Sequence, residues 1–449
     1  MSLHRGIVVA YALPALALAM PTLPVYVYLP TFYAQTLGLG LAATGAALMV
    51  ARILDVVTDP LIGIASDRVR WRWGRRKPWI LVGSLVAAVA MLQLFQPPST
   101  VSAWHLTLWA ILLYLGWTLI AVPYSAWGAE LSSDYHERSR ITGTREAAMI
   151  IGVILAGSLP AAAAIFGGEE REGLAAVAWL AIIVGGPAIA WMLWRVPEAP
   201  IPKTKPEPAV RLRGWFSEII RNRPFVRLLS AWFVNGLANG LPAVLFPLYL
   251  EHALEAGPVA RGVLILTYFL SGVAAIPLWL YLSRRWGKHR VWCGAMGLAC
   301  AAFIWVPFLP PGAVELFFCV CVVTGMALGA DLALPPAMQA DVIDLDSLRT
   351  GKSRAGLFFA VWSMATKMAL ACAVGFAFPV LDLLGFRPGE ANEPTVIIAL
   401  AVIYAGIPTV LKIIAISIAW RHPITLGRQR AIRRVLDRRS TAGTTGVGS

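Results

Sequence analysis

The sequence predicts an all-helical protein that crosses a membrane many times. Of its 449 residues, 58% are hydrophobic and only 14% are charged, whereas a soluble domain carries about 25% charged residues. Twelve apolar stretches are long enough to cross a bilayer as α-helices. Basic residues concentrate in the loops between these stretches, which is typical of membrane orientation rather than of nucleic-acid binding.

The predicted spans follow one another with short connections, apart from one longer loop near the middle of the chain. Proline is frequent inside them, which membrane helices tolerate because neighbouring helices satisfy the freed carbonyl groups. The spans cover residues 7–33, 42–65, 78–98, 104–128, 145–167, 174–196, 225–251, 259–283, 290–310, 313–338, 356–385 and 395–420.

The distribution of Lys and Arg predicts the orientation of the chain. With both termini in the cytoplasm, 32 of the 38 basic residues fall on the cytoplasmic side. This asymmetry predicts a multi-pass protein of a bacterial-type inner (plasma) membrane with both ends inside. The five cysteines lie in apolar runs without metal-ligand spacing, so we expect them to be small buried hydrophobic residues.

The longest loop divides the chain into two halves of six spans each. The stretch 197–208 alone contains five prolines, a composition typical of a linker. We therefore expect an N-terminal half over residues 1–196, a cytoplasmic linker over 197–224 and a C-terminal half over 225–420. The tail, residues 421–449, begins with basic residues that favour anionic lipid, and we expect its small polar end to be disordered.

An internal repeat supports this division. The segment Trp73–Trp79 (WGRRKPW) recurs as Trp286–Trp292 (WGKHRVW), 213 residues later, with the same spacing of Trp, Gly and basic residues. Such a repeat predicts two related bundles with a binding site between them.

The second span contains buried charge that needs an explanation. Arg52, Asp55 and Asp59 share one face of the predicted helix, and charges at this depth are costly unless they are paired or face a wet cavity. One guanidinium cannot neutralise two carboxylates, so a cation or a proton must complete the balance. Together with the hydroxyls of Thr58 and Thr118, the acid pair (Asp55 and Asp59) predicts a four-oxygen site for Na⁺ or a shared proton. The alternative is an inert ion pair that fixes helix packing.

Further candidate residues concern the solute and its coupling to the cation. Lys367 lies in the eleventh span far from any helix end, so it needs the acid pair or another acid as its partner. Asp331 in the tenth span is a candidate second acid in the cavity, or the partner of Lys367. Arg145 faces either the cavity or the lipid headgroups, and Tyr124 and Trp362 are aromatic residues that could stack on a solute.

The charged residues at the predicted cytoplasmic ends allow two interpretations. They are either topogenic charge or a gate in which basic groups of one half pair with acids of the other and separate as the cavity opens inward. Acidic clusters at equivalent places in the two halves favour a structural role in both. The candidate gate residues are Asp67, Arg75, Arg76, Lys77, Glu130 and Asp341.

Several motifs together resemble one family of membrane proteins. Ala51–Pro60 (ARILDVVTDP) and Arg72–Trp79 (RWGRRKPW) are its most specific elements, joined by Val122–Tyr124 (VPY) and Ala340–Asp344 (ADVID). They resemble the glycoside–pentoside–hexuronide:cation symporters of the major facilitator superfamily. The resemblance covers nearly the whole chain and implies the major facilitator fold, with 12 transmembrane helices in two six-helix halves.

The resemblance also implies a mechanism, which is symport of a solute with Na⁺ or H⁺ by alternating access. It implies that Asp55 and Asp59 are the cation acids, that Thr118 is an auxiliary ligand and that Lys367 couples cation to solute. The implied partners are a small-molecule solute, a monovalent cation and the bilayer, and we expect a monomer that binds no nucleic acid and no organic cofactor.

Departures from the family pattern bear on the ion and the solute. Thr58 stands where the best-known member has an Asn between its cation acids, which favours protons modestly. Ala19 and Ala121 replace its two sugar-binding acids, Ser125 replaces its stacking Trp, and only Arg145 is retained. We expect a sugar-like or glycoside-like solute, with an amphiphilic or lipid-like solute as the alternative.

Other classes of protein fit the sequence less well. An integral-membrane enzyme would need a nucleophile with its base or clustered metal ligands, and the histidines lie at span ends or in loops. A passive channel would not need an acid pair with an opposing lysine. We therefore predict a transporter rather than an enzyme. The histidines are His4, His105, His136, His252, His289 and His422.

Overall fold

The computed structural model describes residues 4–68, 73–98, 100–131, 135–165, 170–198, 221–350, 355–425, 427–429, 431–432 and 435. Regular structure within these ranges is helical, as predicted. The helices are α1 (Arg5–Thr36), α2 (Leu41–Arg68), α3 (Lys77–Phe95), α4 (Ala103–Glu130), α5 (Tyr135–Ile165), α6 (Glu170–Arg195), α7 (Arg223–Ala253), α8 (Pro258–Trp286), α9 (Lys288–Phe303), α10 (Val314–Thr350), α11 (Ala355–Leu383) and α12 (Pro394–Trp420).

Each predicted span corresponds to one of these helices. Eleven of the twelve are long and apolar enough to cross a membrane within the described ranges, and α5, which begins with a charged segment, is the exception. Most of the predicted linker and most of the predicted tail lie outside the described residues. Helix α10 continues to Thr350, beyond the predicted end at 338, because Val342 and Leu345 remain buried at helical spacing.

Three helices contain π-helical turns rather than simple proline kinks. In α1 they cover Pro24–Tyr28 and Phe32–Thr36, in α7 Tyr249–Ala253 and in α12 Val402–Gly406. A π-turn widens the helix locally and leaves carbonyl groups in altered positions. The turns of α1 and α7 occupy equivalent places in the two halves, in agreement with the internal repeat.

Small residues allow close contacts between the halves. In α2, a Cβ atom at Gly45 would lie 3.0 Å from the Cβ of Phe378 in α11, and one at Gly375 of α11 would lie 2.3 Å from the sulfur of Met49. Helix α5 likewise packs against α8. These two helix pairs join the halves along their length, as small residues do in membrane bundles.

The apolar cores differ at the two ends of the molecule. At one end both halves share a single core, which includes Phe32, Tyr33, Tyr249, Phe378 and Tyr404. At the other end, where the linker joins the halves, each half has a core of its own. The helices are therefore sealed together at the end remote from the linker and are separate at the linker end.

His422 follows α12 at the linker end and is buried. Its ring centroid lies 6.4 Å from that of His289, and neither of its ring nitrogens has a hydrogen-bond partner among the described residues. Burial, reinforced by the neighbouring His289 and Arg227, lowers the pKa of His422 to about 4.

Candidate functional site

Helix α2 places the acid pair on the face that meets α4 and α11. Asp55 is 5% exposed, and Asp59 lies one turn further along the same face. The hydroxyl of Thr118 in α4 lies 3.1 Å from Oδ1 of Asp55 and 2.8 Å from Oδ1 of Asp59. Because a hydroxyl has one proton, Thr118 donates to one carboxylate at a time and leaves an oxygen lone pair available.

Lys367 of α11 completes this cluster. Its Nζ lies 2.9 Å from Oδ1 of Asp55 and 2.7 Å from Oδ2 of Asp59, so one ammonium bridges both carboxylates. The two acids belong to the first half and the lysine to the second. The bridge is therefore an ionic link between the halves, in the middle of the helices that join them.

Arg52 supplies a second positive charge. Its guanidinium lies 3.7 Å from Oδ2 of Asp55 and stands between the rings of Tyr26 and Tyr114, at 4.2 and 4.0 Å from their centroids. Such cation–π contacts compensate a buried guanidinium for lost hydration. The sequence balanced the two acids against Arg52 and named them among the possible partners of Lys367. With Lys367 in contact, the cluster holds two acids and two bases.

Three of the four predicted oxygen ligands come together, and the fourth does not. The hydroxyl of Thr58 donates to the backbone carbonyl of Asp55 at 3.0 Å instead of turning toward the carboxylates. A threonine in a helix has this alternative because its hydroxyl reaches the carbonyl one turn earlier. The prediction that Thr58 is an oxygen ligand is therefore not supported by its geometry.

The predicted solute residues lie in different places. Arg145 pairs with the adjacent Glu146 at 2.6 Å and reaches toward Ser125 at 3.5 Å. Tyr124 stacks on Tyr11 with ring centroids 4.6 Å apart and is buried in the core of the first half. In this arrangement the Tyr124 ring therefore packs in the core of the first half and does not face a solute.

Trp362 of α11 lies on the second half. It stacks on Trp232 with centroids 4.8 Å apart and ring planes within 17° of parallel. The indole N–H of Trp232 donates to the hydroxyl of Thr366 at 2.7 Å. These contacts fix an aromatic pair on α7 and α11, one turn from Lys367.

Asp331 of α10 does not contact Lys367, and its partners were not predicted. Its Oδ1 accepts from the indole of Trp292 at 2.6 Å and its Oδ2 from the amide of Asn239 at 2.8 Å. Lys412 of α12 lies 3.9 Å from Oδ2 and donates to the amide oxygens of Asn235 and Asn239, each at 2.8 Å. The sequence indicates that these residues need polar partners, because two asparagines four residues apart and a lysine stand in apolar spans, but it does not indicate which partners they have.

Three of the candidate gate residues, Asp341, Arg76 and Lys77, have contacts within their own halves. Asp341 accepts from Lys288 at 2.6 Å, so the predicted pairing of Asp341 across the halves does not occur in this arrangement. The side chain of Arg76 donates to Ser66 at 2.9 Å. The ammonium of Lys77 lies 5.6 Å from the ring centroid of Trp127.

Two gate candidates cannot be placed, and one acid was missed. The side chains of Asp67 and Glu130 lie outside the described residues. Glu198, which sequence reasoning overlooked, accepts from the backbone N–H groups of Arg75, Arg76 and Lys77 at 2.6, 2.9 and 2.9 Å. This carboxylate therefore caps the N-terminus of α3 and ties the start of the linker to the loop after α2.

Two halves of membrane-spanning helices, with a charged cluster between them, define a secondary transporter of the major facilitator type. The chain belongs to the MFS/sugar transport protein family, whose model matches residues 10–426. The predicted resemblance to cation symporters is confirmed by this match and by the relatives.

Two relatives and one solved structure illustrate the range of the family. A glucuronide carrier protein homolog of Escherichia coli is 22% identical over 89% of this chain and 88% of its own length. The human sodium-dependent lysophosphatidylcholine symporter 1 is 24% identical over 90% of this chain and 81% of its own. The crystal structure of the nucleoside transporter NupG shares the fold, with a TM-score of 0.65, 14% identity, and coverage of 92% of this chain and 99% of that chain. These proteins are transporters.

Proposed function

We propose that this protein is a secondary active symporter that moves a sugar-like or glycoside-like solute with a monovalent cation, H⁺ or Na⁺, by alternating access. The observation that carries the proposal is the bridge from Lys367 to both carboxylates of the acid pair. Buried ionisable groups of this kind mark ion pathways in membrane proteins. In this one they also connect the two halves that must move relative to each other.

The cation and Lys367 compete for the same oxygens. Without a bound cation, the ammonium neutralises the acid pair and holds α11 against α2. Protonation of Asp59 removes its attraction for Lys367, and a sodium ion coordinated by Asp55, Asp59 and Thr118 displaces the ammonium. Either event weakens the link between the halves, so that the free energy of cation binding changes the balance between inward-open and outward-open forms.

The geometry favours the proton over sodium as the coupling ion. Lys367 already fills the space between the carboxylates, and a proton adds no volume there, whereas Na⁺ requires the ammonium to withdraw. The hydroxyl of Thr58 is also turned away, which leaves fewer oxygen ligands for a metal ion. The sodium dependence of the human relative is the reason to test both ions.

A second solute class is favoured by a specific observation. The first half lacks the acidic residues expected at Ala19 and Ala121, and a cavity in the second half is lined mainly by apolar and aromatic side chains. An amphiphilic or lipid-like solute would use the same cation site. The human relative, named as a lysophosphatidylcholine symporter, supports this alternative.

The charged residues at the linker end form the cytoplasmic gate in this proposal. Asp341 pairs with Lys288 while the halves are apart and exchanges it for a basic residue of the other half when they close. Replacing Asp341 by Asn should slow solute uptake and leave cation binding unchanged. Uptake at the wild-type rate would contradict a gating role.

The symport proposal is tested in proteoliposomes with a panel of labelled sugars, glycosides and lysolipids. Uptake is measured under a Na⁺ gradient, under a proton gradient and without either. We expect one gradient to drive accumulation, and the Asp59→Asn variant to lose the accumulation but keep exchange of solute across the membrane. The control is Glu315→Gln, which removes an exposed carboxylate at the start of α10. Equal accumulation by wild type and Asp59→Asn would refute the cation assignment.

A further inference from the structure

A cavity lies inside the second half, apart from the acid pair. It is lined by α7, α8, α9, α10 and α12, with Val27 of α1 at its margin. Aromatic side chains line most of it, namely Phe246, Tyr268, Phe269, Phe303, Phe317 and Tyr404.

One end of this cavity is polar, and its hydrogen bonds are incomplete. Asn239, Asp331 and Lys412 line the cavity there. Behind this lining, the amide nitrogen of the fully buried Asn235, a neighbour of Lys412, has no hydrogen-bond partner among the described residues. Two N–H groups of Lys412 are used by the asparagines, while the third has only Asp331 at 3.9 Å, beyond hydrogen-bonding distance.

The unused donors argue against a purely structural role. A buried donor without an acceptor costs about 1–3 kcal/mol, and a packing network would be expected to satisfy it. Donors of this kind become useful when a ligand brings an acceptor.

The first half shows that the fold itself does not require these polar groups. A second cavity lies at the related position between α1, α3, α4 and α6. Its lining includes Ala17, Pro21, Trp117 and Ile189, and no charged side chain lines it. The polar end is therefore an addition specific to the second half, just as the acid pair is specific to the first.

The charges of the polar end select the kind of ligand. The charges of Lys412 and Asp331 balance each other. An anionic ligand would be attracted by the ammonium of Lys412 but repelled by the carboxylate of Asp331. A hydroxyl, in contrast, can accept from Lys412 and donate to Asp331. The aromatic lining in turn suits an apolar or planar group.

We infer that this cavity is a solute site for a neutral amphipathic molecule, with its hydroxyl-bearing part at Lys412 and Asp331 and its apolar part among the aromatic residues. The inference rests on the proposed transport function only in taking the ligand to be the transported solute. It assigns the polar contacts of the solute to the second half and thereby accounts for the missing acids of the first.

The test uses the full chain in lipid nanodiscs, without any ion gradient. Equilibrium binding is measured for phenyl β-D-glucoside, phenyl β-D-galactoside and phenyl β-D-xyloside, with the free sugars and phenyl phosphate as comparators. We expect at least one phenyl glycoside to bind about tenfold more tightly than its free sugar and than phenyl phosphate. Binding of none of the three glycosides, or tighter binding of phenyl phosphate, would overturn the inference.

Three variants locate the bound ligand. Thr324→Leu fills the cavity without breaking a contact between helices, because the Thr324 hydroxyl donates only to Val320 of its own helix at 2.7 Å. Lys412→Met removes the donor, and Lys412→Met combined with Asp331→Asn avoids leaving a buried carboxylate unpaired. We expect each to weaken glycoside binding at least tenfold. Gly186→Leu fills open space in the cavity of the first half and should leave binding unchanged.

The outcomes separate this inference from the symport proposal. Unchanged binding in folded Thr324→Leu and in the double variant would refute the cavity as the site, even if cation-driven uptake persists. Conversely, glycoside binding that is lost in these variants, with no cation dependence of uptake in the wild type, would support the cavity and refute the proposed coupling.

Discussion

Removal of the ammonium that bridges the halves tests the proposed competition directly. In Lys367→Met, the acid pair retains only Arg52, whose guanidinium is 3.7 Å from Asp55 and does not contact Asp59. A proton or a sodium ion must then supply the missing charge. We therefore expect cation affinity to increase in this variant, although coupled transport is lost.

The size of the increase follows from the contacts. At 2.7 and 2.9 Å, each ammonium–carboxylate contact is worth about 6 kcal/mol of Coulomb attraction at an effective dielectric constant of about 20. Most of this is offset by desolvation, and breaking a buried ion pair costs about 3–5 kcal/mol net. The side chain of Lys367 is 21% exposed, so the lower end applies, which corresponds to roughly 100-fold tighter cation binding.

The assay is calorimetric titration of the nanodisc-embedded protein with NaCl at a series of pH values. Na⁺ coupling predicts a Kd about 100-fold lower in Lys367→Met, while H⁺ coupling predicts one additional bound proton at neutral pH. Arg284→Met removes an exposed basic residue of α8 and serves as the control. If Lys367→Met binds both cations as weakly as the wild type or more weakly, the competition is refuted and the lysine is only structural.

Three further predictions concern single contacts. Thr118→Val should weaken cation binding about 5- to 30-fold, equivalent to about 1–2 kcal/mol, whereas Thr58→Val should leave cation binding unchanged. Both are measured by the same calorimetric titrations. Equal effects of the two substitutions would contradict the assignment of Thr118, and not Thr58, as a cation ligand. Gly74 has φ 116°, and a Cβ added there would lie 2.4 Å from Glu198. Gly74→Ala should therefore destabilise the protein by about 1–3 kcal/mol and lower its thermal midpoint. The control is Gly427→Ala, where the added Cβ meets open space and should not shift the midpoint. Burial lowers the pKa of His422 to about 4, below the unfolded value of about 6.5; its contribution to stability is therefore complete above pH 6.5 and is lost as the pH falls toward 4, by up to about 3 kcal/mol. Thermal midpoints of a His422→Leu variant should decline less over this interval, and parallel curves would contradict the prediction.

Sequence periodicity predicted those features of the molecule that are set within a single helix. The spans follow from runs of apolar residues, and the acid pair follows from its spacing on one face of α2. Lys367 was expected to need an acid because an unpaired ammonium in a membrane is costly. These arguments require no knowledge of which helices are neighbours.

What the sequence could not provide depends on neighbours and on side-chain torsion angles. Thr58 has the same spacing whether its hydroxyl faces the carboxylates or its own helix. The contact of Lys412 with Asn235 and Asn239 requires that α12 pack on α7, and the contact of Asp331 with Trp292 requires that α10 pack on α9. The residues in these contacts lie so far apart in the sequence that no local pattern indicates that they meet.

The candidate gate residues show a further limit of sequence analysis, because the same sequence adopts every conformation of the transport cycle and does not indicate which contacts form in which conformation. The gate interpretation paired the acids at the linker end with the opposite half, yet Asp341 pairs with Lys288 of its own half. Both pairings are compatible with the same sequence. The observed pairing agrees with the cores, which are shared at one end of the molecule and separate at the linker end.

The balance of charge around the acid pair has an electrical consequence. With two carboxylates, Arg52 and Lys367, the cluster has no net formal charge, and in the proposed symport cycle a bound H⁺ or Na⁺ would make it positive by one unit. The membrane voltage then exerts a force on the net charge of the occupied carrier. The cluster of the unoccupied carrier has no net charge, so the voltage exerts no net force on it. Moving one elementary charge across 100 mV releases about 2.3 kcal/mol, so an inside-negative potential would speed inward delivery of solute and leave the return of the empty carrier unaffected.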